Sequence, residues 1–173
     1  MANALSAFRL LLVLPFAWTV LEALAPAAAL FFVLAIASDL LDGRVARRRR
    51  TVGPFGRALD HGADFAFVAA GLAAAAARGL LSWLLPLLVA LAFAQYAIDS
   101  YLLHRERQLR MSALGRWNGV LYFVPVGGVL LADLGLAWPA PLIAPVAWVL
   151  VVSTLASMGD RLFELGRRRA APD

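Results

Sequence analysis

The chain has 173 residues, 62% of them apolar and none of them cysteine, with a formal charge of +5 and a mean hydropathy of +0.78. A soluble globule is about half apolar, so this composition reads as a single all-α integral membrane domain over 1–173. Without cysteine, a disulfide framework, thiolate chemistry and Cys-ligated zinc are excluded.

Taken in chain order, the apolar runs divide at turn and charge signals into 5–24, 26–48, 58–77, 80–104, 113–133 and 139–163, each a candidate helix. A span needs about 20 residues at about 1.5 Å each. Six transmembrane helices with short loops therefore nearly exhaust the chain and leave no room for a second domain. The separators are Pro26, the Gly53-Pro54 turn, Arg78-Gly79, the stretch from Arg105 to Arg110, and Pro139 with Pro141.

Ala23-Leu24-Ala25 at the end of the first run is A-x-A-like, as at a signal-peptide cleavage site. Yet Arg9 lies close against the apolar run with no basic stretch before it, and losing this segment would break the charge pattern described below. It reads as span 1. Ala73 to Ala77 reads as a stripe of small residues that lets helices approach closely. Trp83 and Trp138 read as interfacial anchors at the outer ends of spans 4 and 6.

All sixteen basic residues are arginine. Arg9, Arg44, Arg47 to Arg50, Arg57, Arg105, Arg107, Arg110, Arg116, Arg161 and Arg167 to Arg169 fall on one side of the six-span arrangement, and Arg78 alone falls on the other. The positive-inside rule then puts both termini in the cytoplasm. Topology and attraction to anionic headgroups account for the net charge, so no nucleic-acid partner is needed.

Four of the eleven acidic residues lie within 39–64, as Asp39-x-x-Asp42-Gly43-x-x-Ala46-Arg47, eight residues, then Gly56-x-x-x-Asp60-x-x-x-Asp64. Spacings of three and four place Asp39 with Asp42, and Asp60 with Asp64, on single helix faces. Two facing carboxylate pairs in an apolar protein repel strongly unless divalent cations neutralise them. Ionisable groups at membrane depth are also costly. The sequence therefore predicts a metal site on the cytoplasmic side, with one ion or two.

This pattern resembles, at all eight fixed positions, the signature of the class I CDP-alcohol phosphotransferase family, D-x2-D-G-x2-A-R-x8-G-x3-D-x3-D. Asn3-x-Leu5-Ser6-x-x-Arg9, followed by Pro15, is similar to the opening of many members. The resemblance implies transfer of a substituted phosphate from a CDP-linked donor, usually CDP-diacylglycerol, to an alcohol hydroxyl with release of CMP, a step of phospholipid biosynthesis. It implies Asp39, Asp42 and Asp60 as ligands of Mg2+ or Mn2+, and Asp64 as the general base and a further candidate ligand. Gly43, Ala46, Arg47 and Gly56 would face the donor, the small residues admitting it close to the backbone and the arginine taking phosphate oxygens. The implied partners are the CDP-alcohol, a small alcohol acceptor and the bilayer, and a homodimer is allowed.

Outside the motif the sequence is less specific. His61 points about 100° away from Asp60 on a helix and reads as a helix-face residue, and His104 as an interfacial one. Arg105, Arg110 and Arg116 near the cytoplasmic ends of spans 4 and 5 are candidate acceptor ligands for glycerol 3-phosphate or inositol phosphate, or else topology charges. Members using glycerol 3-phosphate typically carry Arg-Glu in span 4, where this chain reads Ala92-Phe93-Ala94-Gln95. Ser100-Tyr101-x-x-His104-Arg105 is closer to the inositol-phosphate branch, so the acceptor stays open. The competing class is a non-catalytic membrane protein or small cation transporter using intramembrane aspartates. Transporters commonly carry repeated halves, and 87–173 contains no second aspartate pair.

Overall fold

The computed structural model describes residues 2–49, 54–98 and 113–170. Among them every regular element is an α-helix: α1 Ala2–Leu21, α2 Ala25–Arg49, α3 Pro54–Ala77, α4 Leu84–Ile98, α5 Ala113–Leu121, α6 Phe123–Asp133 and α7 Ala140–Ala170. Span 5 of the sequence reading is thus two helices meeting at Tyr122. Proline explains the division, because Pro125 has no N–H to offer the Leu121 carbonyl one turn earlier. The Tyr122 amide still donates to the Asn118 carbonyl at 2.9 Å, so the halves stay in line. Pro54 opens α3, where its fixed φ suits the first helical position and no hydrogen bond is lost.

α1 is the central strut, packing on α3 along its length and on α2 beside it. Its Phe16 is fully buried, with its ring stacked on Phe67 of α3 at 4.2 Å between centroids and 10° between planes. Gly71, one turn beyond Phe67, makes this approach fit, since a Cβ there would lie 2.7 Å from Phe16 Cε1. Farther along α3, Ala74, Ala75 and Ala76 are buried in the core, as the small-residue stripe anticipates.

Three helices end in the same way. After α3, the Leu80 and Gly79 amides donate back to the Ala75 and Ala76 carbonyls; after α6, Leu136 and Gly135 do so to Leu131 and Ala132; after α1, Leu24 and Ala23 do so to Thr19 and Val20. This cap needs a left-handed residue, ordinarily glycine. Gly79 and Gly135 supply it at φ 74° and 94°, but the α1 cap uses Ala23 at φ 54°.

Outward, the bundle is apolar. Leu11 and Leu14 of α1 are 75% and 79% exposed, and large apolar side chains also face out on α2, α4 and α7. By length and composition Ala140–Phe163 suffices to cross a membrane, and Leu5–Leu21, Ala25–Leu41 and Leu84–Ile98 are shorter apolar helices. Charges limit the other long helices, with Asp39 near the end of α2 and Asp60 and Asp64 within α3.

Candidate functional site

Asp39 lies in the later part of α2, and Asp60 and Asp64 lie one turn apart on α3. The i, i+4 spacing puts the α3 pair on one face, and packing turns that face toward Asp39. One oxygen from each of the three carboxylates lies within 4.8 Å of the others. Side-chain exposure falls from 52% at Asp39 through 34% at Asp60 to 28% at Asp64, so Asp64 is the deepest of the three. Hard oxygen ligands at such separations suit a magnesium- or manganese-sized ion.

The cluster opens into a cavity of about 650 Å³, within the range of small-molecule and cofactor sites. Its walls are of two kinds. Around the carboxylates stand Arg9, His61 and Arg116, while Ile36 and Leu40 of α2, Val68 of α3, Val120 of α5 and Phe123 of α6 give an apolar side. Gly119 also lines it with nothing within 4 Å of where a Cβ would be, which keeps the α5 wall low. The lining therefore offers a ligand both charged groups and apolar surface.

Several residues singled out by sequence can be placed. Arg116 is exposed on α5 and lines the cavity. His61, read from the sequence as a helix-face residue pointing away from Asp60, also lines the cavity and meets Tyr96 edge-on, with ring centroids 6.4 Å apart at 87°. Asp42, Gly43, Ala46 and Arg47 belong to the last turns of α2 and Gly56 to the first turn of α3, but their side chains lie outside those described. Arg105, Arg110, His104, Ser100 and Tyr101 lie outside the described residues.

The structure also recruits residues that the sequence reading used otherwise or passed over. Arg9, counted among the topology charges, is 1% exposed and reaches the carboxylates from α1. Ser6, one turn earlier, donates to Asp60 Oδ1 at 3.3 Å. These are the two polar residues of the N-terminal Ser6-x-x-Arg9 signal, and their i, i+3 spacing already places them on one helix face.

Behind Phe65, Gly115 and Tyr122, which border both spaces, lies a second cavity of about 30 Å³. Polar groups buried beside it link α5, the Tyr122 junction and α7. Tyr122 Oη is 2.7 Å from Thr154 Oγ1, and Ser153 donates to Asn118 Oδ1 at 2.6 Å. Arg161 lies over the Tyr96 ring at 5.0 Å, within cation–π range. Asn118, Tyr122, Ser153, Thr154 and Ser157 share a helical spacing that could have marked this cluster in advance.

A search of curated proteins found no significant match, but the family model described as CDP-alcohol phosphatidyltransferase matches residues 1–157. That match takes in the Ser6 and Arg9 helix, the acidic helices, and every residue that lines the cavity. The chain therefore belongs to the CDP-alcohol phosphatidyltransferases, a family of phosphotransferase enzymes.

Proposed function

We propose that the protein transfers a phosphatidyl group from CDP-diacylglycerol to the hydroxyl of a small alcohol, releasing CMP at the cytoplasmic face of a cell (inner) membrane. One observation carries this reading: the three convergent carboxylates of Asp39, Asp60 and Asp64 face a large cavity whose lining is otherwise mostly apolar. A nucleotide diphosphate linked to diacylglycerol combines the same two characters. Six membrane-spanning helices with both termini cytoplasmic accommodate such a donor, supported by the apolar exterior and the fifteen-to-one arginine distribution. In this orientation Trp83 and Trp138, both exposed at the end remote from the carboxylates, serve as outer anchors.

Asp39, Asp42 and Asp60 would hold one or two Mg2+ or Mn2+ ions, which when bound supply charge neutralisation for the diphosphate and the leaving CMP. The remaining chemistry belongs to the side chains. The acceptor oxygen attacks the phosphorus that bears diacylglycerol, the bond from that phosphorus to the bridging oxygen breaks, and CMP departs with the electron pair. Asp64, the deepest carboxylate, takes the acceptor's proton as attack proceeds, since a carboxylate is too weak a base to remove it beforehand. Gly43, Ala46, Arg47 and Gly56 contact the donor, with Arg47 holding its phosphates as a fork. Arg116, together with Arg105 and Arg110, receives a phosphorylated acceptor such as glycerol 3-phosphate or inositol phosphate.

The test is CMP release from CDP-diacylglycerol by purified protein in lipid nanodiscs, with Mg2+ or Mn2+ and a panel of alcohols. Acceptor-dependent CMP formation that stops on chelation is expected. Ion flux through reconstituted protein without CMP formation would overturn the reading in favour of a transporter.

A further inference from the structure

One guanidinium touches every described carboxylate of the acidic cluster. Arg9 Nη1 donates to Asp60 Oδ1 at 3.3 Å and also pairs with Asp64 Oδ1, while Nη2 lies 3.5 Å from Asp39 Oδ1. Its Nε points to Ser38 Oγ at 3.3 Å, so the planar group is also held by α2. The side chain is 1% exposed, and arginine cannot shed its charge to ease burial. A fixed cation on α1 thus joins α2 to α3 through the same three carboxylates that could hold a divalent ion.

The geometry sets up a competition. Asp60 and Asp64 each direct an oxygen at the same guanidinium nitrogen, and a small divalent ion must approach such oxygens to about 2.0–2.1 Å. An ion that draws these three carboxylates to itself competes for them with the guanidinium, and like charges repel strongly where water is scarce. On the reading of these carboxylates as metal ligands, we propose that Arg9 is the centre's resident counter-cation: it gathers the carboxylates when no divalent ion is bound and yields them when one arrives. Arg9 is then a positioning residue that sets metal affinity. It exchanges some affinity for an acidic centre that stays assembled between turnovers.

A purely structural arginine and a competing one give opposite signs. Losing a structural pin loosens the carboxylates and weakens metal binding, whereas losing a competitor strengthens it. Mn2+ binding to purified protein without substrate, read from the electron paramagnetic resonance of free Mn2+, separates the two. Thermal unfolding is measured alongside, in chelator and in saturating Mn2+. Arg9→Met is expected to bind Mn2+ about tenfold or more tightly than the native chain, consistent with removing one close unit charge. It should unfold at a lower temperature in chelator and regain most of the loss in Mn2+. Ser38→Ala, which removes the partner of Nε and a bond to the Ala35 carbonyl within the same helix but leaves every charge in place, should tighten Mn2+ binding by a few fold.

Unchanged or weaker binding in Arg9→Met, with the native protein binding normally, overturns the competition. If Arg9→Met fails to fold even in Mn2+, Ser38→Ala decides: tighter binding upholds the proposal, and unchanged or weaker binding overturns it. A native protein that binds no Mn2+ would instead remove the metal reading on which the competition rests.

Discussion

The two ends of the bundle are built from the same two residue types and behave differently. At one end Arg78 forms a two-pronged pair with Asp133, Nη1 to Oδ2 at 2.6 Å and Nη2 to Oδ1 at 2.8 Å, and Nη1 also donates to the Val20 carbonyl at 3.0 Å. One cation meets one anion, and α1 and α6 are tied through the turn that follows α3. At the other end, one cation meets three anions beside a large cavity. Burial alone does not account for the difference, because Arg9 is the more enclosed arginine while its carboxylate partners are more exposed than Asp133. What differs is charge balance and adjoining space. The Arg78 end is a clasp, whereas the Arg9 end carries acid in excess and has room for a ligand.

The sharpest way to break this comparison is at the acidic end. Asp64→Asn is expected to lower turnover by roughly 10²- to 10⁴-fold, the usual contribution of a general base, with affinity for CDP-diacylglycerol largely kept. Asp60→Asn should weaken Mn2+ and donor binding as well. Turnover and donor affinity of both variants across a manganese titration check this. Rescue of Asp64→Asn by excess Mn2+ would move Asp64 among the ligands.

At the clasp, Arg78→Met should cost about 1–3 kcal/mol of stability, between the worth of an exposed pair and the penalty for stranding a buried partner. Turnover per folded molecule should be unaltered. Adding Asp133→Leu should restore most of the stability, because no carboxylate is then left without its cation. Chemical denaturation in mixed micelles, with turnover measured on the same samples, tests both statements. Loss of turnover comparable to that of Asp64→Asn would mean that the two ends are not separable.

The smallest expected effect is a gain. Ala23 adopts the left-handed conformation that Gly79 and Gly135 supply after α3 and α6, and a Cβ there costs about 1–2 kcal/mol. Glycine removes that strain but frees the unfolded chain. Ala23→Gly should therefore stabilise by about 0.5–1 kcal/mol with no change in turnover, as read by the thermal midpoint and the standard assay.

What could be read in advance was local. The pairing of Asp60 with Asp64 follows from helical spacing alone, and the family resemblance rests on residues within 39–64. Helix positions follow from apolar runs and proline, although the Tyr122 junction escaped because Pro125 sits in an otherwise unbroken apolar stretch. Arg9 could not be assigned its partners, since it meets Asp60 and Asp64 across 51 and 55 residues and periodicity carries no information about such contacts. The buried polar cluster around Tyr122 was obscured differently. Its members are neutral residues scattered through apolar helices, and only the packing of α5 against α7 brings Asn118 to Ser153.

The position of α1 at the centre makes its rotational phase a shared quantity. On one helix, Ser6 and Arg9 address the acidic centre, Phe16 stacks on Phe67 beside Gly71, and the Val20 carbonyl receives Arg78. Each residue advances the helix by about 100°. Turning α1 by one residue would therefore unseat all three contacts together, and inserting a residue between Arg9 and Phe16 would satisfy one end only by misaligning the other. The bundle thus fixes the azimuth of Arg9 from the opposite end of the molecule, so that the groups best placed to meet a charged substrate owe their aim to an apolar stack and a remote clasp.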